Sequence, residues 1–231
     1  MGNTARRHID REFESELATL REELLVMAGH VENMIAASVK AFETRDKELA
    51  RRTIENDHKV NQAEMDLDEL CLVVLAKRQP MGPDLRFITL CLKMVTDLER
   101  IADLAVNVCE RTIQLADLEP VTPPFGVGVG HMAGIVQSMV KDAIDAFVRD
   151  DTALAEEVVT RDDEVDEHYH QIFRKVLARM AQDATVVERG IHFQSAAKFL
   201  ERMGDHSTNL AEQVVYMVKG KDIRHVGKLD E

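Results

Sequence analysis

The sequence predicts an all-α protein built as two tandem antiparallel three-helix bundles related by internal duplication. Three observations favour this fold. Apolar residues recur at helical spacing along almost the whole chain, and strand-like alternation is nearly absent. In addition, the motif Leu-Glu-Arg-x-x-Asp occurs twice, at residues 98–103 and 200–205, each time inside a long stretch of helical periodicity.

The first bundle is predicted to span residues 12–117. Its first helix covers about residues 12–43, where apolar side chains alternate three and four residues apart, as on the buried face of a bundle helix. The second covers about residues 47–77 and ends before a pair of prolines, which cannot continue a helix. The third covers about residues 84–117. Long helices joined by short turns pack antiparallel, which gives a three-helix bundle.

A stretch rich in proline and glycine, residues 118–130, is predicted to link the two bundles. After it the pattern of the first half restarts at a nearly constant offset, so that Glu99, for example, is matched by Glu201. A nearly constant offset that persists along most of one half of the chain indicates an internal repeat. The second bundle is therefore predicted over residues 131–219.

Polar residues, several of them acidic, interrupt the apolar face of the second helix in the first half, and the repeated motif supplies a Glu and an Asp one helical turn apart in both halves. Turns near Pro80 and Asp183 would place these side chains at the same height on neighbouring antiparallel helices. Buried carboxylates are costly unless a cation pairs with them, so each half is predicted to hold a metal site. The predicted ligands are Asp57, Asn61, Glu99 and Asp103 in the first half and Asp162, Asp166, Glu201 and Asp205 in the second.

All of these ligands offer oxygen, which suits iron, manganese, magnesium or calcium better than copper or structural zinc. We expect a metal ion or cluster of iron, manganese or magnesium. Glu55 and His58 form one Glu-x-x-His pair, but the second half has Thr160 and Asp163 at those positions, which argues against a ferritin-like oxidase. The alternative is that the acidic faces are solvated.

Predictions also follow for four further residues near these motifs. His206 follows Asp205 and is a candidate additional ligand. His168 and His170 are predicted to lie on the exposed surface. Gly204, which is matched by Ala102 in the first half, predicts close packing of helices beside the acidic pair.

Composition excludes several functional classes. The net charge of −13 argues against nucleic acid as a partner, because phosphates repel an acidic surface. No apolar run approaches the ~20 residues of a membrane span, and the charged N-terminus does not resemble a signal peptide. The three cysteines are expected to be small buried side chains with reduced thiols in a cytoplasmic protein. No glycine-rich phosphate loop or activated nucleophile is evident, so an enzyme is not expected.

Five motifs stand out along the chain: Asp57-His58-Lys59-Val60-Asn61, Ala76-Lys77-Arg78-Gln79-Pro80, Asp97-Leu98-Glu99-Arg100-Ile101-Ala102-Asp103, Leu200-Glu201-Arg202-Met203-Gly204-Asp205 and Val218-Lys219-Gly220-Lys221-Asp222. Together they resemble the PhoU family of phosphate-uptake regulators. The resemblance covers nearly the whole chain and implies two three-helix bundles. It also implies metal or metal-cluster binding through the two Glu-x-x-x-Asp pairs, joined by the acidic residues of the second helices.

The resemblance further implies a negative regulator of phosphate-starvation signalling that is not an enzyme. Such a protein would be a cytoplasmic adaptor between the ATPase of the phosphate ABC transporter and a membrane sensor histidine kinase, and commonly a homodimer. Two alternatives remain from the residues themselves. One is a metal-dependent carboxylate-bundle enzyme or metal-storage protein, and the other is an interaction scaffold whose acidic stripes are solvated.

Overall fold

The computed structural model describes residues 2–121, 125 and 128–220, with side chains from residue 11 onwards. No strand occurs in this part of the chain. The helices are α1 Gly2–Thr44, α2 Lys47–Arg78, α3 Pro83–Ala116, α4 Val129–Arg149, α5 Thr152–Thr160, α6 Asp162–Gln182 and α7 Val187–Lys219, with a short 3₁₀ turn at Ala184–Val186. Helices α1–α3 form one antiparallel bundle, and α4, α5–α6 and α7 form the second, so the predicted fold class is confirmed.

The helix ends differ from prediction at two places. Helix α1 begins at Gly2, about ten residues before the predicted start, because residues 3–11 contain no proline or glycine that would end it. Helix α4 begins at Val129, so the last two residues of the predicted linker are helical. At the start of α4 the carboxylate of Glu43 occupies the space where a side chain on Gly130 would lie. A carboxylate is favourable there because the helix dipole is positive at its N-terminus.

The turn between the first two helices is built identically in both halves. Arg45 and Asp150 each adopt the left-handed conformation, with φ of 54° and 53°. The next residue caps the following helix: Asp46 accepts a hydrogen bond from the Leu49 amide at 2.9 Å, and Asp151 accepts one from the Leu154 amide at 3.1 Å. These matched caps support the internal duplication.

The second helix of the second half is interrupted at one residue, Arg161. Its φ of −74° and ψ of −10° remain close to helical values, so α5 and α6 together occupy the place that α2 has in the first half. The Arg161 side chain crosses to α4, where it donates hydrogen bonds to Asp142 at 2.7 Å and Ser138 at 3.0 Å.

The two bundles share one hydrophobic core. Helices α3 and α7, which carry the repeated motifs, pack against each other, and fully buried side chains such as Leu98 and Leu200 belong to one continuous cluster. Arg21 of α1 joins the halves by lying 5.2 Å from the ring centres of both Phe87 and Phe147. The acidic faces are therefore held on a scaffold that spans the whole molecule.

The described part of the linker is also fixed to both halves. Phe125 lies 5.0 Å from the ring of Phe193, which in turn makes an edge contact of 5.1 Å with Phe42. Arg45 donates a hydrogen bond to the carbonyl of Leu118 at 3.2 Å. The linker residues 122–124 and 126–127 lie outside the described residues.

The three cysteines are free and buried, as predicted. Burial raises the pKa of the Cys71 and Cys109 thiols to about 12, and it raises the pKa of Cys91 as well. These thiols therefore remain protonated at neutral pH. Within the described residues, no helix is both long and apolar enough to cross a membrane.

Candidate metal centres

The first acidic cluster lies between α2 and α3. Asn61 donates a hydrogen bond from Nδ2 to Asp57 Oδ2 at 2.8 Å, one turn apart on α2. Burial raises the pKa of Asp57, and the nearby negative charge of Asp103 raises it further. Burial and the charge of Asp103 likewise raise the pKa of Glu99 to about 7. The structure thus brings the predicted residues of the first half together.

Glu64 belongs to the same cluster, although it was not among the predicted ligands. Burial raises the pKa of Glu64, as do the charges of Asp68 and Asp103, and Glu64 in turn helps to raise the pKa of Glu99. The sequence carried a usable signal, because Glu64 continues the polar stripe of α2 one turn after Asn61.

Arg100 contributes an ion pair at the edge of this cluster. Its Nε lies 3.4 Å from Glu99 Oε2, and its Nη1 lies 3.4 Å from Asp103 Oδ2. The Arg100 side chain is 56% exposed, so solvent screens both pairs. The cluster therefore keeps an excess of negative charge.

The second cluster lies between α6 and α7. Burial raises the pKa of Asp162 to about 6, together with the charges of Asp205 and Asp166. Asp205 reaches solvent, yet its pKa is raised because the surrounding protein partly desolvates it and Glu201 and Asp166 add negative charge. The four predicted residues of the second half are thus also neighbours.

Lys198 distinguishes the second cluster from the first. Its ammonium donates a hydrogen bond to Glu201 Oε1 at 2.5 Å, one turn earlier on α7. Sequence reasoning missed this partner, although its position three residues before Glu201 was visible. The matching position in the first half is Thr96, and the first cluster is paired with Arg100 instead, so the two clusters differ in the position of their half-exposed cation.

Close packing of α6 against α7 depends on Gly204. A Cβ atom at this position would lie 3.2 Å from Val165 Cγ1 and 3.5 Å from Asp162 Oδ1. This confirms the predicted close approach of the helices beside the acidic pair. The missing side chain lets Asp162 approach the backbone of α7 next to Asp205.

Two equivalent carboxylate oxygens, one in each cluster, favour the binding of a cation. Asp57 Oδ1 and Asp162 Oδ1 occupy matching positions in the two halves, and both are buried without a hydrogen bond of normal geometry, although the Thr208 hydroxyl lies close enough to Asp162 to lower its pKa. Glu99 Oε2 is also buried, but it already forms the 3.4 Å ion pair with Arg100. Buried polar atoms normally have partners, because an unpaired one costs about 1–3 kcal/mol. A hard cation that takes oxygen ligands would satisfy these atoms, so the residues present fit one.

His206 does not point its Nδ1 atom at the second cluster. That nitrogen lies 2.9 Å from Asp97 Oδ1 on α3, which is partly buried with it. Asp97 also accepts hydrogen bonds from Asn209 at 3.3 Å and Gln213 at 2.6 Å. Through Nδ1, His206 therefore makes a polar contact between the two halves, and its role as an additional ligand stays a prediction.

The predicted surface position is right for His170 and wrong for His168. His170 is exposed, whereas the His168 side chain is only 24% exposed because helix α4 packs beside it. Its ring lies edge-on to that of His131, with centroids 4.7 Å apart.

Comparison with known proteins places this architecture in a family. The model of the PhoU domain matches residues 24–112 and again residues 129–214. The chain belongs to the PhoU family. Each matched segment contains one of the two acidic clusters, so the PhoU repeat and the repeated cluster coincide.

Similar proteins match nearly the whole chain. A phosphate-specific transport system accessory protein PhoU homolog from Pseudomonas aeruginosa is 42% identical over 220 residues, covering 95% of this chain and 90% of the relative. The phosphate-specific transport system accessory protein PhoU of Escherichia coli K12 is 34% identical over 221 residues, covering 96% and 91%.

Solved PhoU structures share the fold. The crystal structure of PhoU from Pseudomonas aeruginosa has a TM-score of 0.87 at 41% identity and covers 90% of this chain and 100% of that chain. The phosphate transport system regulatory protein PhoU from Streptococcus pneumoniae has a TM-score of 0.83 at 24% identity, with 91% and 99% coverage, and shows the same fold.

Proposed function

We propose that this protein is a negative regulator of phosphate-starvation signalling and phosphate uptake. It acts in the cytoplasm as an adaptor between the ATPase subunit of a phosphate ABC transporter and a sensor histidine kinase, and it works as a homodimer. When phosphate is plentiful, it binds both partners and holds the kinase in its phosphatase-biased state.

One observation carries this proposal. Relatives that match over about nine tenths of their own length are accessory proteins of the phosphate-specific transport system. A role associated with phosphate transport therefore follows from whole-chain similarity rather than from a shared fragment. The regulatory adaptor role and the kinase partner go beyond those names and are what the experiments below test.

Metal at the two acidic clusters is part of the proposal. Asp57, Asn61, Glu99 and Asp103 would hold it in the first half, with Glu64 close by, and Asp162, Asp166, Glu201 and Asp205 would hold it in the second. A bound hard cation would neutralise the carboxylates and tie the two helices of each cluster together. The support is the pair of buried oxygens on Asp57 and Asp162 that lack a hydrogen bond of normal geometry.

The same carboxylates favour one alternative, a metal-dependent carboxylate-bundle enzyme or metal-storage protein. The Glu-x-x-His pair of α2 lends it little support, because His58 is exposed and its Nδ1 contacts the backbone carbonyl of Glu55. Oxygen consumption or hydrolase activity that is lost in Glu99→Gln would favour this alternative.

The regulatory proposal is tested by binding. The purified chain should capture both the transporter ATPase and the cytoplasmic portion of the kinase, and deletion of its gene should leave phosphate-starvation genes active when phosphate is abundant. Failure to recover either partner, with normal gene repression in the deletion strain, would overturn the adaptor proposal.

The metal part has a separate test. The chain is purified without an affinity tag or chelator, and its metal content is compared with that of the variant Glu99→Gln, Asp103→Asn, Glu201→Gln and Asp205→Asn. The control carries the same change in charge at exposed acids of the second helices: Asp66→Asn, Glu69→Gln, Glu156→Gln and Glu157→Gln. Iron, manganese or magnesium should be lost only from the first variant. Equal metal in all three proteins would refute the proposed sites.

A further inference from the structure

A group of side chains outside the acidic clusters has the composition of a different metal site. His131 lies in the first turn of α4, while Glu164 and His168 lie one turn apart on α6. One nitrogen from each imidazole and one carboxylate oxygen of Glu164 all lie within 4.8 Å of one another. We propose that these three residues form a binding site for Zn²⁺ or a similar divalent transition metal.

The donor atoms decide the class of metal. Two imidazole nitrogens and one carboxylate oxygen suit Zn²⁺, Co²⁺ and related ions, and zinc is commonly bound by three protein ligands with water in the fourth position. The acidic clusters offer oxygen and favour hard cations instead. The protein would therefore bind two classes of metal at separate places.

The new site and the second acidic cluster occupy opposite sides of α6. Val165 is fully buried and marks the direction of the core. Because successive residues turn by about 100° around a helix, Asp162 and Asp166 flank this direction on the side of α7. Glu164 and His168 flank it on the other side, where α4 packs. The two sites are therefore separated by the body of the helix.

The ligands are close to the spacing that a zinc ion requires. Glu164 Oε1 lies 4.0 Å from His168 Nε2, and the two imidazole rings meet at an angle of 82°. Zinc–nitrogen bonds of ~2.0 Å in a tetrahedral site place neighbouring ligand atoms about 3.3 Å apart. A bound ion would draw the three side chains together by rotation about their side-chain bonds, from the two helices that hold them.

The surroundings favour a cation. The whole chain carries a net charge of −13, which raises the local concentration of cations. A bound zinc would join the first turn of α4, immediately after the linker, to the middle of the second bundle.

The decisive experiment is a zinc titration of the tag-free full chain after removal of bound metals. The variant that lacks the motif acids Glu99, Asp103, Glu201 and Asp205 is titrated in parallel, so that zinc bound at the oxygen-only clusters is counted separately. We expect one equivalent of Zn²⁺ to bind in competition with a chromophoric chelator, and Co²⁺ to give the visible absorption of a site with imidazole ligands. X-ray absorption of the zinc form should show two imidazoles.

Matched variants locate the site. His131→Gln and His168→Gln should each weaken this binding by more than the roughly 10–100-fold that loss of an outer-shell partner costs. His170→Gln, an exposed histidine on the same helix, should bind like the unmodified protein. Circular dichroism confirms that each variant is folded, and zinc should raise the Tm of the parent and of His170→Gln but not of the other two.

Three outcomes would overturn the proposal. One is unchanged zinc affinity in both His131→Gln and His168→Gln, and another is an equal loss in His170→Gln. The third is disappearance of the imidazole-bound zinc in the variant that lacks the motif acids Glu99, Asp103, Glu201 and Asp205. That variant also separates this site from the proposed metal clusters, because zinc binding here should survive when their metal is lost.

Discussion

His206 Nδ1 lies 2.9 Å from Asp97 Oδ1, and this contact joins the two helices that carry the repeated motifs, at residues that flank each motif. Asp97 stands two residues before Glu99 on α3, and His206 directly follows Asp205 on α7. The helices that carry the acidic pairs are thus connected by a hydrogen-bonded contact as well as by the apolar core. Any movement of one motif helix along the other would break it.

The Asp97 network predicts a measurable loss of stability in Asp97→Ala. Asp97 is 9% exposed and accepts hydrogen bonds from Asn209 and Gln213 as well as its contact with His206. Removing the carboxylate leaves partly buried donors without an acceptor, which should lower the free energy of unfolding by about 2–3 kcal/mol. Urea denaturation measures this. Asp66→Ala, at an exposed position, should change it by less than about 0.5 kcal/mol, and equal effects of the two substitutions would contradict the role of the network.

The raised pKa of Glu99 predicts how the metal-free protein responds to pH. The pKa is about 7 in the folded state and 4.5 as the reference for the unfolded chain, so the folded state binds more protons between these values. Stability should therefore fall as pH rises from about 4.5 to about 7 and then level off. Urea midpoints measured with chelator present should show this decline in the unmodified protein and a shallower one in Glu99→Gln. If the urea midpoints of the two proteins fell equally with pH, Glu99 would be excluded as a cause of the decline in stability.

The positions of the acidic residues along the helix axes could be predicted, because the turns between the helices determine which residues lie side by side. The turns near Pro80 and Asp183 lie where the sequence indicated, and antiparallel helices on either side then bring Asp57 near Asp103 and Asp162 near Asp205. Helical periodicity and the positions of the two turns were sufficient for this step.

The rotation of each helix about its own axis, which decides which side chains face a neighbouring helix, could not be predicted in the same way. Spacing places His206 beside Asp205 along α7, but only the packing of α7 on α3 turns its Nδ1 towards Asp97. Similarly, periodicity assigns His168 to the side away from the core, and only the position of α4 brings it against His131. Contacts between helices that are distant in sequence depend on this rotation, which no local pattern encodes.

Substitution of Gly204 by a larger residue is expected to reduce metal binding at the second cluster only. In Gly204→Leu the added side chain would meet Val165 and Asp162, because even a Cβ atom at this position would lie 3.2 Å from Val165 Cγ1. Separation of α6 from α7 should cost about 1–3 kcal/mol of stability and lower the metal content of the second cluster while the first is retained. Gly134→Leu on α4 is the control, since nothing lies within 4 Å of its Cβ position. Full metal occupancy in Gly204→Leu would show that close helix packing is unnecessary.

Lys198 predicts that the second cluster binds cations less tightly than its carboxylates alone would allow. Its ammonium donates to Glu201 Oε1, so a metal that takes Glu201 as a ligand must displace or repel this charge. Lys198→Gln should therefore tighten cation binding at the second cluster and leave the first unchanged. Isothermal titration with Mn²⁺ measures both, and Lys175→Gln, at an exposed lysine of α6, controls for the change in net charge. Equal tightening in the two variants would assign the effect to the overall charge of the protein rather than to the contact with Glu201.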